Sequence, residues 1–270
     1  MIEINGYELT LEHFADNSLK LKISEAIEKT IKNKDISYIT WKYESDEELF
    51  TLMCLRDKYS SKNMELIILY LPHARMDRVK NSSDVFTLKT FCKIINDLNF
   101  SKVYVLDPHS NVGPALLDRL IIYTPLLSIS KAVQQTAKES ENGMVAFFPD
   151  EGACKRYEEM VSCAEKATGS KRRDWVTGKL SNDYVIHDDN IKGKDVLIID
   201  DICSYGGTFV RAARALKEKG AKNINLYITH CENNATKGEL FSCGLINKVF
   251  TTDSLIHTDE LKEKIIYVWL

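Results

Sequence analysis

Two adjacent carboxylates, Asp200 and Asp201, follow an apolar run at residues 196–199 and precede a turn that contains two glycines. The pattern predicts a buried strand that ends at the acidic pair and a helix that begins near Thr208. Amides of such a turn and of a helix N-terminus bind phosphate as unpaired donors, and carboxylates one ribose length away accept hydrogen bonds from vicinal hydroxyls. The stretch therefore predicts a sugar-phosphate site made of Asp200, Asp201, Ser204, Tyr205, Gly206, Gly207 and Thr208.

The same residues also suit an ordinary strand-to-helix turn, in which an acid caps the helix and the glycines ease the bend. Capping requires one acid at most. Because the chain has two acids here, the pattern favours ligand binding.

Bulk properties restrict the class of protein. The chain has 270 residues, 44% of them hydrophobic and 28% charged, which is typical of a globular protein with one large or two medium domains. A net charge of -3 gives no indication of a nucleic-acid or membrane partner. The strongest apolar run, at residues 66–71, is too short to span a bilayer, and the N-terminus lacks the pattern of a signal peptide, so we expect a cytoplasmic protein.

Short β-rich runs alternate with helical patterns, which predicts an α/β fold with mainly parallel sheets flanked by helices. Polar residues follow a strand in each half of the chain, at Asp107 and His109 in one half and at the acidic pair in the other. We predict two domains, residues 1–127 and 128–270, with the terminal strand at 265–269 free to return to the first. The other predicted strands are residues 37–41, 65–70, 102–106, 144–148, 195–199 and 223–229.

The acidic stretch resembles the ribose-phosphate motif of type I phosphoribosyltransferases and of ribose-phosphate pyrophosphokinases. Residues 70–78, Tyr-Leu-Pro-His-Ala-Arg-Met-Asp-Arg, are similar to the ATP-binding segment of the pyrophosphokinases. Residues 105–109 resemble their Asp-x-His segment, and residues 148–156 resemble their Pro-Asp-x-Gly-x-x-Lys-Arg segment. Because phosphoribosyltransferases lack the first two segments, the chain is identified as a member of the pyrophosphokinase family. The first 60 residues match poorly.

The resemblance implies two type I phosphoribosyltransferase-like domains, the first binding ATP and the second binding a ribose phosphate. It assigns ATP binding to Arg75, Asp77, Arg78 and His109, and a Mg²⁺ site to His109 and Asp150. Of the two, Asp150 is the better intrinsic metal ligand, and its alternative role is the N-cap of a helix that begins at residue 151.

The catalytic loop departs from the pattern of the family, which has a lysine just after a strand and an arginine two residues later. Here Lys166 follows a predicted strand, but the next arginines are Arg172 and Arg173, as a short insertion would produce. The resemblance therefore implies Lys166, with Arg172 or Arg173, as the catalytic cations.

The implied reaction joins ATP and a ribose phosphate in a cleft between the domains of a homo-oligomer. The anomeric hydroxyl of the sugar attacks the β-phosphorus of ATP, and AMP leaves. Ser204 and Tyr205 stand where the family usually has aspartate and threonine. The altered turn suits either ribose 5-phosphate or ADP-ribose, with a lean to ADP-ribose, whose base would stack on Tyr205.

Two other interpretations stay open from the sequence. A type I phosphoribosyltransferase would leave the segments around Arg75 and His109 unexplained. A non-catalytic homologue that senses nucleotides is favoured by Met76, where the family usually has glutamine, and disfavoured by the complete acidic pair.

Overall fold

The computed structural model describes residues 1–161, 165–173, 180–256 and 263–268, and it describes their side chains except those of residues 171–173 and 180–183. The chain divides into two compact units, Met1–Thr124 and Pro125–Leu270. The residues expected at the domain boundary, 127 and 128, lie inside a helix that begins at Leu126, so the division falls at the proline before that helix. Within the described residues, no helix is long and apolar enough to cross a membrane.

The first unit contains one main sheet and one small hairpin. Its strands are β1 (Ile2–Ile4), β2 (Tyr7–Glu8), β3 (Leu11–His13), β4 (Leu19–Leu21), β5 (Ile36–Trp41), β6 (Asn63–Ile68), β7 (Val103–Leu106) and β8 (Leu120–Tyr123). The order in the main sheet is β2-β1-β5-β6-β7-β8, and β3 pairs with β4. Strands β5 to β8 are parallel, whereas β1 and β2 add antiparallel pairs at one side. The carboxyl ends of β6 and β7 therefore lie side by side.

Helices of the first unit bury apolar side chains against this sheet. They are α1 (Glu25–Asn33), α2 (Glu47–Lys58), α3 (Thr87–Asp97) and α4 (Val112–Leu116). Ser24 caps α1 by accepting a hydrogen bond from the amide of Ile27. Apolar residues of α3, such as Leu88 and Ile95, recur at helical spacing and join one core cluster with alternate residues of β5 to β7. The alternation expected of strands thus places one face of the sheet in the core.

The second unit contains a larger sheet in the order β11-β10-β9-β12-β13-β14-β15. Its strands are β9 (Met144–Phe148), β10 (Glu165–Arg173), β11 (Leu180–Ile186), β12 (Asp195–Cys203), β13 (Ile224–Cys231), β14 (Val249–Thr251) and β15 (Ile265–Tyr267). Its helices are α5 (Leu126–Glu139), α6 (Glu151–Tyr157) and α7 (Gly207–Glu218). Only the pair of β10 and β11 is antiparallel among the described pairs of this sheet.

Helices cover both faces of this second sheet. Phe147 and Ile198 belong to a core cluster with α7, whereas Phe148 and Ile199 belong to a second cluster with α5 and α6. Because successive strand residues point to opposite faces, a strand covered on both sides has to be apolar throughout. This explains why β9 and the first part of β12 were recognisable as continuous buried runs.

The terminal strand corrects one expectation. We expected residues 265–269 to be free to return to the first domain, but β15 pairs in parallel with β14 of the second sheet. Val249 and Ile265 are register partners, and both side chains lie in the same core cluster. Burial of these side chains in the second unit accounts for the placement.

Candidate active site

The acidic pair lies inside strand β12 and not after it. We expected the strand to end at Ile199, but pairing with β13 continues as far as Cys203, opposite Cys231. Asp201 is buried, and its Oδ2 accepts a hydrogen bond of 2.9 Å from Nη1 of Arg156 in α6. The amide of Asp201 in turn donates to Oδ1 of Asp200 at 2.9 Å. Both carboxylates are thus held near the carboxyl end of the sheet, where open α/β folds bind ligands.

Asp200 has an unusual electrostatic environment. Burial raises the pKa of its carboxyl well above the usual value of 3.8, and the neighbouring charges of Asp201 and Asp150 raise it further. Negative charge from neighbouring carboxylates therefore acts on Asp200. Sugar hydroxyls, which donate hydrogen bonds, or a cation would relieve this repulsion.

The turn after β12 depends on a glycine. Gly206 has a φ of 79°, a left-handed conformation that other residues adopt only with strain. A Cβ atom at this position would also lie 2.8 Å from Cβ of Leu240, too close for a normal contact. The sequence motif thus matches a backbone requirement of this turn.

Side chains and the helix start complete the turn. Oγ of Ser204 donates a hydrogen bond of 2.6 Å to Oε2 of Glu232, which follows the neighbouring strand β13. Helix α7 begins at Gly207, with Thr208 in its first turn, and its N-cap residue, Gly206, has no side chain to cap it. The first amides of the helix therefore face the position after the turn as hydrogen-bond donors to a ligand. Tyr205 is exposed.

Asp150 serves as a helix cap. Its Oδ1 accepts a hydrogen bond of 3.0 Å from the amide of Ala153, at the start of α6. The electrostatic effect of Asp150 on Asp200 places the two carboxylates near each other. Among the residues that the structure describes, no three metal-binding side chains converge into a complete metal site. A magnesium ion does not require one, because it usually takes one or two carboxylates and completes its shell with water and substrate oxygens.

Lys166 is not placed as the resemblance implies. We expected it after a strand, but it is the second residue of β10, and its Nζ donates a hydrogen bond of 2.8 Å to the carbonyl oxygen of Glu158. Its register partner is Ala146, in the middle of β9. Lys166 therefore lies before the carboxyl end of the sheet, away from the edge at which the acidic pair lies.

Strand β10 continues well past β9. Thr168 is the register partner of Phe148, the last residue of β9, and the rest of β10 pairs only with β11 in the described residues. Arg172 and Arg173 lie in this extension, as does Lys171, which pairs opposite Tyr184. The side chains of Arg172 and Arg173 lie outside the described part of the chain. By backbone position alone, this extension is on the ligand edge of the sheet.

In the first unit, two of the predicted ATP-binding segments come together after β6 and β7. Asp77 is buried and accepts two hydrogen bonds from Arg78, of 2.7 Å from Nε and 3.1 Å from Nη2. The hydrogen bonds from Arg78 lower the pKa of Asp77. A hydrogen bond from Ser110 and the charge of His109 lower it further. Asp77 thus links the segment of Arg78 to the segment of His109.

The backbone of both segments is unusual. His73 has a φ of 61° and Asp107 a φ of 40°, and both are non-glycine residues in the left-handed region. Such conformations cost energy and concentrate at ligand-binding sites. Arg75 is exposed on the same segment as Arg78. Both cations are therefore exposed at this edge of the first sheet.

Three residues of the site were missed by sequence reasoning as functional residues. Arg156 pairs with Asp201, Glu232 holds Ser204, and Ser110 contacts Asp77. Arg156 is the last residue of the segment 148–156. Its pairing with Asp201 could be inferred only from the packing of α6 against β12. The signal for Glu232 was its position just after the strand that neighbours β12.

Comparisons with known proteins agree with this architecture. Residues 166–253, which include the acidic pair and the glycine turn, match the family model described as "Phosphoribosyl transferase domain". A crystal structure of phosphoribosylpyrophosphate synthetase from Mycobacterium smegmatis superposes with a TM-score of 0.78 at 18% identity, covering 97% of this chain and 86% of that one. The chain therefore has the fold of two phosphoribosyltransferase-like domains.

Relatives in sequence indicate which proteins with two phosphoribosyltransferase-like domains this chain resembles. A ribose-phosphate pyrophosphokinase of Marinomonas sp. (strain MWYL1) is 26% identical over 93% of this chain and 79% of its own length. One from Agrobacterium fabrum is 28% identical over 82% of this chain and 71% of its own length. Together with the fold, these matches show that the chain is similar to ribose-phosphate pyrophosphokinases over most of its length. It is an enzyme of the diphosphotransferase type, and the phosphoribosyltransferase alternative is not favoured.

Proposed function

We propose that this protein transfers the β,γ-diphosphoryl group of ATP to the anomeric hydroxyl of a ribose 5-phosphate-type acceptor and releases AMP. The observation that carries the proposal is the acidic pair of β12 together with the left-handed glycine turn that follows it. In this assignment Asp200 and Asp201 accept hydrogen bonds from the ribose hydroxyls. Amides of the turn and of the start of α7 bind the 5-phosphate.

The ATP site is proposed for the first unit. Arg78 is fixed by the two hydrogen bonds from its side chain to Asp77, so it presents its remaining N–H groups to a phosphate without losing much conformational freedom. Arg75 adds a second exposed cation, and His109 lies close enough to Asp77 to lower its pKa. Asp77 acts here as a positioning residue for Arg78.

A magnesium ion is part of the proposal. Asp150 has a carboxylate oxygen besides the one that caps α6, and carboxylate oxygen is the ligand type that this ion prefers. Asp150 is proposed as a Mg²⁺ ligand of the second unit and His109 as one of the first, and Mg²⁺ would supply positive charge to the phosphate oxygens of ATP. Burial, and then repulsion from neighbouring carboxylates, raise the pKa of Asp200, and the repulsion would diminish beside such a cation.

We propose that the catalytic cations lie in the extension of β10 and not at Lys166. Lysine and arginine stabilise the charge that develops on a transferring phosphoryl group, provided that they reach the ligand edge of the sheet. Lys166 precedes that edge and already donates to the carbonyl oxygen of Glu158. Lys171, Arg172 and Arg173 follow it, and the spacing of Lys171 and Arg173 is the one expected of the family's lysine and arginine.

The chemical step is a displacement at phosphorus. The anomeric oxygen forms a bond to the β-phosphorus of ATP, and the bond between that phosphorus and the oxygen bridging to the α-phosphate breaks. The bridging oxygen leaves with AMP, and the hydroxyl proton passes to water. The protein contributes alignment of the two substrates and neutralisation of charge.

The acceptor is proposed to be ADP-ribose in preference to ribose 5-phosphate. Ser204 is committed to Glu232, and Tyr205 is exposed, so neither side chain is arranged to enclose a terminal phosphate. The proposal includes a homo-oligomeric enzyme, which light scattering would test.

Release of AMP tests the proposed function. ATP and Mg²⁺ with either acceptor should give AMP at a rate well above that without acceptor. The Asp200→Asn, Asp201→Asn double variant should raise the KM for the acceptor at least tenfold and the KM for ATP only slightly, because each lost charge-assisted hydrogen bond contributes about 1.5–3 kcal/mol. No AMP with either acceptor, in a folded protein that binds ATP, would favour a nucleotide-sensing homologue.

A further inference from the structure

A pocket of about 590 Å³ opens beside the turn that follows β12. Tyr205 and Gly207 of the turn line it, together with residues of α7, of β11 and of the segment around Gly238. Its volume is within the range of roughly 300–1,000 Å³ that small-molecule sites occupy. The pocket adjoins the proposed phosphate site but extends along α7 away from the acidic pair.

Arg211 provides a cation in this pocket. It lies one turn after Gly207 in α7, and its Nη1 is 3.5 Å from the position that a Cβ atom of Gly207 would occupy. The side chain thus returns toward the start of the helix, as helical side chains generally do. Within the described residues, no hydrogen bond or ion pair engages the Arg211 guanidinium. A second phosphate, bound beyond the one at the turn amides, would therefore lie within reach of Arg211.

Two tyrosines provide aromatic surface. Tyr205 is 58% exposed, which is high for a large ring beside a ligand site. Tyr184 is held in place, since its hydroxyl donates to the carbonyl oxygen of Pro149 and its ring packs against Phe147 at a centroid distance of 6.3 Å. Planar rings of this kind bind nucleobases by stacking, at about 1–3 kcal/mol for each base.

Carboxylates line the part of the pocket farther along α7. Glu239 accepts a hydrogen bond of 3.1 Å from Nη2 of Arg214, and Glu218 lies at the end of the helix. The pocket thus combines a cation near the phosphate turn with hydrogen-bond acceptors farther away. This order of charges matches a phosphate followed by a hydroxyl-bearing sugar.

We propose that this pocket is an extension subsite for acceptors whose 5-phosphate continues into a second phosphate and a nucleoside. Arg211 binds the second phosphate, and Tyr205 stacks on the base. The inference rests on the proposed function, because it requires the sugar phosphate to bind at the turn. It adds a specificity-determining residue, Arg211, and the surface that receives the distal nucleoside.

Arg211→Ala and a matched control test the subsite. The kcat/KM for AMP release is measured with ADP-ribose and with ribose 5-phosphate, and the specificity is the ratio of the two values. Arg211→Ala should lower this ratio at least tenfold, and Arg211→Lys should lower it less because one cation remains. Lys222→Ala is the control, since this exposed cation of the same unit pairs with Glu141 and lies outside the pocket. It should leave the ratio unchanged.

Direct binding gives a second readout. Isothermal titration of ADP-ribose in the absence of ATP should show affinity reduced at least tenfold in Arg211→Ala, with circular dichroism confirming the fold. An unchanged ratio and unchanged affinity would overturn the subsite, as would a wild-type enzyme that prefers ribose 5-phosphate. Either result leaves the proposed function intact if AMP is released, whereas absence of AMP with both acceptors would contradict the proposed function itself.

Discussion

Arg156 of α6 and Asp201 of β12 form an ion pair with a distance of 2.9 Å between Nη1 and Oδ2, and the side chain of Asp201 is 8% exposed. The two residues come from different elements, and the pair connects the helix that Asp150 caps with the strand that carries the acidic pair. An ion pair with one buried partner fixes the orientation of that carboxylate more than an exposed pair does. Arg156 is therefore a positioning residue for Asp201.

Removal of this arginine should weaken acceptor binding selectively. In Arg156→Ala, Asp201 loses a charged partner in a buried site, which costs about 1–3 kcal/mol. We expect the KM for the acceptor to rise about tenfold, the KM for ATP to change less than threefold, and Arg156→Lys to recover part of the loss. Lys155→Ala is the matched control, because the neighbouring Lys155 pairs with Glu151 at the surface. Equal effects of Arg156→Ala and Lys155→Ala on the acceptor KM would contradict the role of the pair.

The lysines of β10 give a second prediction. Lys171→Ala should lower kcat by about 100-fold or more with little change in ATP affinity, because a cation that acts at the transition state contributes to turnover and not to substrate binding. Lys166→Ala should keep kcat within a few-fold of the wild type, since Lys166 lies before the ligand edge. Single-turnover kinetics of the two variants would show which lysine contributes to the rate of diphosphoryl transfer. A large loss in Lys166→Ala and none in Lys171→Ala would return the role to Lys166.

The contrast between these lysines shows what the sequence could and could not predict. Runs such as β9 and β13 were recognisable because strands buried on both faces are apolar throughout. The glycine turn was recognisable because only glycine tolerates the conformation of Gly206. The register that places Lys166 opposite Ala146 could not be predicted, because it depends on pairing between strands that are distant in sequence.

Other features of the structure depend on long-range pairing in the same way. Strand β12 continues past Ile199 because β13 supplies backbone partners as far as Cys231, and polar residues in β12 give no local sign of this. The pairing of Arg156 with Asp201 likewise follows from the packing of α6 against β12. Local patterns thus predicted the elements and the acidic pair, whereas long-range pairing determined the strand ends and the contacts of the site.

The pH dependence of stability should reveal the environment of Asp200. A carboxyl whose pKa is raised in the folded state binds its proton more tightly there than in the unfolded chain. Its contribution to stability is therefore present below the usual pKa of 3.8 and is lost as the pH rises through the folded-state pKa. Asp200→Asn removes this loss, so it should stabilise the ligand-free protein at pH 8 and change little at pH 4.

Calorimetry at pH 8 should therefore show a higher Tm in Asp200→Asn than in the wild type. Asp189→Asn is the control, because Asp189 is an exposed carboxylate that pairs with Lys219. It should show no stabilisation at pH 8. A wild-type protein as stable as Asp200→Asn at pH 8 would indicate that the Asp200 carboxyl is not destabilised by its surroundings.

The glycine turn gives a fourth prediction. Gly206→Ala adds both a strained left-handed residue, at about 1–2 kcal/mol, and a close contact with Leu240. Gly143→Ala is a matched control, because Gly143 also has a positive φ, of 83°, but nothing lies near its added Cβ. We expect Gly206→Ala to lower the free energy of unfolding more than Gly143→Ala and to raise the acceptor KM, as measured by denaturant titration and steady-state kinetics. An equal KM for the acceptor in the two variants would show that the turn does not contribute to acceptor binding.

The most direct measurement of the central claim is the fate of the β-phosphate of ATP. ATP labelled with ³²P at the β position is incubated with the enzyme, Mg²⁺ and either ADP-ribose or ribose 5-phosphate, and the products are separated and counted. Transfer of a diphosphoryl group predicts that the label moves to the sugar product and that unlabelled AMP forms in equal amount. Recovery of the label in ADP, with a monophosphorylated sugar as the other product, would contradict the proposed function.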